Sequence, residues 1–274
     1  SDLIWRIYKE YIEPDFANNP TDPVGPRRDD AGDLIVSYQL PYTTSYGMAW
    51  DGEHMWGIAT NNNRLIEFDP ESEEVVSDFE IHIGPRALTF DGDFFWTSAY
   101  NPSNNIFLYN TEGELVDRFE LPIRDISGLA FDNNSRVYIN SWNEQRIYVI
   151  DINSREVIAN FEMLLDFRRA NYKISRLDWV PGHFDGHLWS IVGNNEIDVG
   201  FAVRVDINEN WQARERQRFQ LQHVGHTGIA HDGANLWHGG EHENLLWHVY
   251  DDGIRDMKWL DIDPPQGLLE SEED

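Results

Sequence analysis

The sequence contains no cysteine, only three lysines, and no apolar run that approaches the length of a membrane span. Without cysteine there is no disulfide framework, and the redox compartment is not indicated. A helix that crosses a bilayer needs roughly 18 or more apolar residues, so no membrane insertion is expected. The chain has 21 basic and 49 acidic residues, a net charge of −28. That charge opposes a nucleic-acid or anionic-membrane partner, because both need a cationic surface.

Recognisable catalytic motifs are also missing, since there is no Walker motif, Gly-x-Ser-x-Gly elbow or dinucleotide fingerprint. The acidic, lysine-poor composition stays soluble at high ionic strength and favours a secreted or periplasmic location. Core-forming residues are plentiful, because 41% of the chain is hydrophobic and 13% is aromatic. This composition indicates a folded protein.

The hydropathy pattern divides the chain into three parts. Residues 1–33 begin with a short amphipathic helix over 1–12, which Pro14 ends, and continue as a linker rich in Pro and Asp. Residues 34–263 alternate apolar and polar side chains and form the folded domain. Residues 264–274 form an acidic tail.

One pattern recurs five times within the folded domain. Each unit has a first apolar run, a tight turn, a second run with an aromatic residue, and two further runs. Asp-Gly between apolar runs is a strong hairpin signal, because a type I′ turn needs positive φ. The turns are Asp51-Gly52, Asp91-Gly92, Asp132-Asn133, Asp185-Gly186 and Asp232-Gly233, and the aromatic residues are Trp56, Trp96, Tyr138, Trp189 and Trp237.

Four strands in a unit of about 40–50 residues are typical of a propeller blade. The sequence therefore predicts an all-β fold, a five-bladed β-propeller of four-stranded antiparallel blades. A further strand at 34–40 resembles the outer strands predicted at 75–81, 115–121 and 157–163. It can complete the last blade, with residues 257–262 pairing outside it or replacing it, and the sequence leaves that alternative open.

Ligand sites are expected at a mouth of the central channel, where polar loop residues converge on a concave surface. Equivalent positions of the five units form columns, and a residue that breaks its column is the better candidate for function. The column that leads into the first strand of each unit is Tyr46, Arg86, Ser127, Ser175 and Thr227. Arg86 breaks this column, and Arg176 breaks the next one, which otherwise holds Gly or Ala. The two arginines either clamp a carboxylate or phosphate or pair with acidic neighbours such as Asp125, Asp178 or Glu241.

The corner between the second and third strands supplies the remaining candidates. Its columns are Thr60, Tyr100, Trp142, Gly193 and Glu241, followed by Asn61, Asn101, Asn143, Asn194 and His242. The four Asn predict a bracing role in the turn. The residue types in the first column differ from blade to blade, which is expected either for the lining of a pocket or for a solvated loop. A site built from His226, Glu241 and His242 would hold a divalent cation in the channel, although the spacing of a helical zinc site is absent.

Residues 136–151, RVYINSWNEQRIYVID, resemble a blade of the five-bladed glutaminyl cyclotransferases, and the general likeness to secreted kelch-type propellers covers roughly residues 34–262. The resemblance implies that Trp142 and Asn143 occupy site positions of that family. It also implies polar Gln-Gly and Glu-Gly pairs where this chain has Tyr46-Gly47 and Arg86-Ala87. Cyclisation of an N-terminal glutamine needs a carboxylate that moves a proton, and Glu241 is the candidate here.

These observations favour a propeller that binds a small polar or anionic ligand, or a peptide end, at its channel mouth. The ligand-binding residues predicted are Tyr46, Arg86, Tyr100, Trp142, Asn143, Arg176 and His226. The alternative is an enzyme of cyclotransferase, lactonase or lyase type, possibly metal-assisted, in which Glu241 and His242 are catalytic. A lectin or protein-interaction scaffold is a second alternative, and the oligomeric state is not indicated.

Overall fold

The computed structural model describes residues 31–43, 46–100, 104–163, 172–183, 187–194, 199–221, 227–240 and 244–251. These residues form five antiparallel sheets of four strands each. The predicted five-bladed β-propeller is thereby confirmed. The helix predicted over 1–12, most of the linker and the acidic tail lie outside the described residues. Within those ranges, no helix is long and apolar enough to cross a bilayer.

The strands follow one another from the innermost to the outermost position of each blade. The first strand of the chain is β1 (Leu34–Gln39). Blade 1 has β2 (Met48–Trp50), β3 (Met55–Ala59), β4 (Arg64–Asp69) and β5 (Glu74–Glu80), with a 3-10 turn at Thr60–Asn62. Blade 2 has β6 (Pro85–Phe90), β7 (Phe95–Ala99), β8 (Asn105–Tyr109) and β9 (Leu115–Glu120). Blade 3 has β10 (Ile126–Phe131), β11 (Arg136–Ser141), β12 (Arg146–Asp151) and β13 (Val157–Phe161). Blade 4 has β14 (Lys173–Trp179), β15 (Leu188–Asn194), β16 (Val199–Ile207) and β17 (Ala213–Gln220), and blade 5 has β18 (Ile229–His231), β19 (Leu236–Gly239) and β20 (Leu245–Val249).

The ring is closed by the first strand of the chain. The innermost strands β2, β6, β10, β14 and β18 contact one another in a closed circle. Strand β1 pairs antiparallel with β20, from Leu34 opposite Val249 to Gln39 opposite Leu245. The question that the sequence left open is therefore answered: β1 completes blade 5 and covers the edge of β20. Residues 257–262 lie outside the described residues.

An Asp–Trp hydrogen bond recurs in the first hairpin of three blades. One oxygen of Asp51 accepts the backbone N–H groups of Glu53 and His54, and the other accepts the indole N–H of Trp56 at 2.7 Å. The same indole bond joins Trp96 to Asp91 at 2.6 Å and Trp237 to Asp232 at 2.7 Å. In blade 4 the indole N–H of Trp189 donates instead to Nδ1 of His183, at 3.2 Å. A single carboxylate thus satisfies both the turn and a buried ring, which explains why the turns and aromatic residues repeat together.

Glycine lets the inner strands come close together around the axis. A Cβ atom on Gly47 would lie 2.7 Å from the backbone nitrogen of Leu88, and one on Gly128 would lie 2.9 Å from that of Leu177. Strand β2 therefore packs almost backbone to backbone on β6, as β10 does on β14. The result is a channel that leaves no room for a water molecule where Met48, Leu88, Leu129, Leu177 and Ile229 meet.

This closure separates two mouths. The loop mouth is the end at which the chain reaches each inner strand, and it is marked by Tyr46, Arg86, Ser127, Ser175 and Thr227. The hairpin mouth is the opposite end, at which the first hairpins turn, and it is marked by Trp50, Phe90, Phe131, Trp179 and His231. A ligand held at one mouth cannot reach the other through the middle of the channel.

Candidate functional site at the loop mouth

A β-bulge determines the direction of the side chains at the loop mouth. The pairing register shifts between Pro85 and Leu88 at the start of β6, and equivalent shifts occur at the starts of β10 and β14. A bulge re-aims the side chain of its extra residue. Ser127, Ser175 and Thr227, which share this column, are fully buried. Arg86 therefore places a long cation where three of the other blades hold a small hydroxyl residue.

Arg86 is buried between two aromatic rings. Its side chain is 9% exposed, and its guanidinium carbon lies 5.2 Å from the ring centroid of Tyr100 and 5.8 Å from that of Trp142. Burial lowers the pKa of Arg86, and the nearby Tyr100, Asp125 and Tyr46 act in the opposite direction. The Nε atom is enclosed and has no hydrogen-bond partner among the described residues. The guanidinium is thus held by cation–π contacts and retains unused donors.

Trp142 carries a second cation on the loop mouth. The ammonium nitrogen of Lys173 lies 4.8 Å from the Trp142 ring centroid. The loop that presents Trp142 is held by Asp125, whose carbonyl accepts the Trp142 N–H at 2.8 Å and whose carboxylate accepts the Asn143 amide at 2.6 Å. Asn143 is exposed and braces this loop. The structure therefore brings together four of the predicted residues, Arg86, Tyr100, Trp142 and Asn143.

Arg176 has a different environment from Arg86. It is 2% exposed, and its Nη1 donates to the backbone carbonyls of Ser127 at 2.6 Å and Ser175 at 3.1 Å. Its guanidinium carbon lies 4.8 Å from the ring centroid of Tyr46. Part of the donor capacity of Arg176 is therefore used to tie β10 to β14 and to support Tyr46. The two arginines predicted as a clamp occupy unlike positions, one at the rim and one in the channel wall.

Three of the predicted residues cannot be located in this site. Glu241, His242 and His226 lie outside the described residues. Asn143 braces its turn as the Asn column predicts. Asn61 does not, because it is exposed and the bracing amide of blade 1 stands two residues later. The Oδ1 atom of Asn63 accepts the Gly84 N–H at 2.8 Å, and in blade 3 the Oε1 atom of Gln145 accepts the Ile174 N–H at 2.8 Å. Each of these amides joins one blade to the next.

A buried cluster of His183, His231 and Asp251 has the composition of a metal site, but its histidines carry protons on the nitrogens that would bind the metal. The Nε2 atoms of His183 and His231 lie 3.1 Å and 2.7 Å from Oδ2 of Asp251. Nδ1 of His183 accepts a hydrogen bond from the indole N–H of Trp189, and Nδ1 of His231 accepts one from the backbone N–H of Gly233. Both rings therefore carry their proton on Nε2 and donate it to Asp251. A histidine that binds a metal donates from its second nitrogen, so this donor set fits a proton-bearing structural cluster and not a metal ion.

The hairpin mouth holds a residue that sequence reasoning considered only as an ion-pair partner. Asp178 lines a cavity of about 210 Å³ there. Its column is Ala49, Thr89, Ala130, Asp178 and Ala230, so Asp178 is the one acidic residue in it. Burial raises the pKa of Asp178 to about 7 against the opposing effect of backbone hydrogen bonds from Trp179 and His231. The rule of the broken column, applied at this end of the strand, would have found it.

No protein-family model matches the chain, and no curated protein sequence matches it. Among solved structures, the chain is similar to the glutaminyl cyclase of Myxococcus xanthus, with 11% identity and a TM-score of 0.46. The match covers 69% of this chain and 97% of that one. At this level the likeness concerns the propeller fold alone.

Proposed function

We propose that the loop mouth binds a small anionic ligand, or the carboxylate end of a peptide, through the guanidinium of Arg86. The observation that carries the proposal is the burial of this cation without a hydrogen-bond partner for Nε among the described residues. A buried polar group left unsatisfied costs about 1–3 kcal/mol, and a charged group costs more. A carboxylate or phosphate would satisfy it with two parallel hydrogen bonds.

The charge of the protein strengthens this interpretation. With a net charge of −28, carboxylates are abundant, yet none of the described residues places one within ion-pair distance of Arg86. Lys173 adds a second positive charge against the Trp142 ring. As far as the described residues go, the loop mouth is therefore a cationic spot on an acidic protein, and such a spot selects anions by attraction while the surrounding surface repels them.

The neighbouring apolar side chains favour a ligand that is not purely ionic. Tyr100 is 63% exposed and Ile83 is 83% exposed. The φ angle of Gly84 is +67°, and a Cβ atom built there would lie 3.4 Å from Cβ of Tyr100, so the loop packs closely on this ring. An exposed aromatic ring against a buried cation suits a carboxylate that carries a hydrophobic group.

Isothermal titration calorimetry at low salt tests the proposal with a matched pair of probes. N-acetyl-leucine carries a carboxylate and an apolar side chain, and N-acetyl-leucinamide is its neutral counterpart. We expect the acid to bind at least about tenfold more tightly than the amide, a difference of about 1.4 kcal/mol. Arg86→Gln should remove that preference.

The control is Arg155→Gln, because Arg155 is exposed and already forms an ion pair with Asp117. This variant changes the net charge by the same amount and should keep the preference for the acid. If folded Arg86→Gln protein binds every anionic probe as the parent does, the proposal is wrong. The catalytic alternative depends on Glu241 and His242, and turnover of glutaminyl peptides or lactones by the same preparations would support it.

A further inference from the structure

The hairpin mouth is surrounded by ring-bearing side chains. The last residue of each inner strand is aromatic or His, and all five line the cavity of about 210 Å³: Trp50, Phe90, Phe131, Trp179 and His231. The ring of blades places these equivalent positions around one axis. Proteins use clustered aromatic rings to hold organic cations, because the faces of the rings are electron-rich.

Asp178 gives this cavity a carboxyl group that the fold does not require. In blade 2, the hydroxyl of Thr89 accepts the N–H of Phe131 at 3.0 Å and so links β6 to β10. In blade 4 the carboxyl of Asp178 accepts the equivalent N–H, that of His231, and links β14 to β18. A threonine is therefore sufficient for the link between blades. The Oδ2 atom of Asp178 is enclosed and has no partner among the described residues.

The other charged group on the cavity is also acidic. Burial alone would raise the pKa of Asp232, but hydrogen bonds from His248, Trp237 and backbone N–H groups hold it well below the usual range. Asp232 is therefore ionised at neutral pH. None of the described residues that line the cavity is Lys or Arg. The hairpin mouth is thus acidic, whereas the loop mouth at the other end of the channel is cationic.

The geometry points to a second binding site, at which the hairpin mouth takes an organic ammonium group between its aromatic side chains with the Asp178 carboxylate as counter-ion. Desolvation of a methylated ammonium costs little compared with that of a metal ion, and the five ring-bearing side chains suit the organic cation better than the metal. The closed middle of the channel makes this site separate from the anion site at the loop mouth.

Choline is the probe for this site, and 3,3-dimethylbutan-1-ol is its uncharged counterpart of the same shape. Isothermal titration calorimetry at about pH 8, where Asp178 is mostly ionised, compares the two at constant ionic strength. We expect choline to bind at least about tenfold more tightly than the alcohol. Asp178→Asn keeps the shape of the side chain and should weaken choline about tenfold or more while leaving the alcohol unchanged.

Two further variants keep the result interpretable. Trp50→Leu removes a ring from the wall without touching Asp178, so it should weaken choline even if Asp178→Asn folds poorly. Arg86→Gln alters only the loop mouth and should bind choline as the parent does. The proposal is overturned if choline and the alcohol bind equally, if neither wall nor carboxyl substitution changes choline binding, or if no binding is seen up to ~10 mM choline.

Discussion

Replacement of Asp178 by Asn should remove the effect of pH on the stability contributed by this site. In the folded protein burial raises the pKa of Asp178 to about 7, whereas its ordinary value is 3.8. The folded state then binds more protons than the unfolded state between these two values. Stability from this group is therefore greatest in acid and falls as the pH rises through about 7.

The size of the effect follows from the difference in pKa. Roughly three pKa units at about 1.4 kcal/mol each give a ceiling of about 4 kcal/mol, of which about 3 kcal/mol is lost between about pH 5 and pH 8. Asparagine has the shape of the protonated acid and does not titrate. The free energy of unfolding of Asp178→Asn, relative to the parent, should therefore rise by about 3 kcal/mol over that interval.

Urea unfolding followed by circular dichroism measures this difference, because urea, unlike guanidinium chloride, adds no salt that screens charges. Asp232→Asn is the matched control on the same cavity: its hydrogen bonds lower the pKa, so this variant should be less stable than the parent at both pH values. If parent and Asp178→Asn differ by the same free energy at both pH values, the burial of an uncompensated carboxyl is refuted.

Three other outcomes can be measured by the same unfolding assay. Burial lowers the pKa of His82 to about 4. The free energy of unfolding of the parent should therefore fall by about 2–3 kcal/mol between about pH 7 and 4.5, and that of His82→Phe should not. Equal losses in the two proteins would contradict this. Gly47→Ala should cost at least about 2 kcal/mol, because its Cβ would lie 2.7 Å from a backbone nitrogen, whereas Gly182→Ala has open space and should change stability by less than about 0.5 kcal/mol. Trp96→Phe loses a hydrogen bond to the Asp91 carboxylate and should cost about 1.5–3 kcal/mol of stability. Trp189→Phe should cost less, because the indole of Trp189 donates to a neutral imidazole. Equal costs would contradict this difference between the two acceptors.

The repeat made the fold predictable from the sequence. The outer strand predicted at 34–40 is observed at Leu34–Gln39, and the one predicted at 115–121 is observed at Leu115–Glu120. These segments combine β-forming residues with local turn signals, so each unit carries its own structural information. Ring closure depends on pairing between distant parts of the chain, and alternation alone cannot choose between two candidate outer strands for blade 5.

The candidate sites were predictable only in part. Comparison of equivalent positions identified Arg86, because an arginine in a column of small hydroxyl residues needs an explanation. The same comparison could not separate Arg86 from Arg176, since their difference lies in which backbone carbonyls each reaches. Asp178, at the far end of the inner strands, breaks its column in the same way but was predicted only as an ion-pair partner. The proton positions in the cluster of His183 and His231 depend on three-dimensional contacts that no spacing in the sequence reveals.

Closure of the ring by β1 also affects how the protein folds during its synthesis. Gln39 donates to the carbonyl of Asn244 across a separation of 205 residues, and among the described strands β1 pairs with β20 alone. A ribosome that adds about 5–20 residues per second would leave β1 without its partner for about 10–40 s. During that interval its backbone groups can pair with other chains, and blades 1 to 4 can form before the ring can close. Synthesis rate and crowding around the nascent chain should therefore affect how much of this protein reaches the native state.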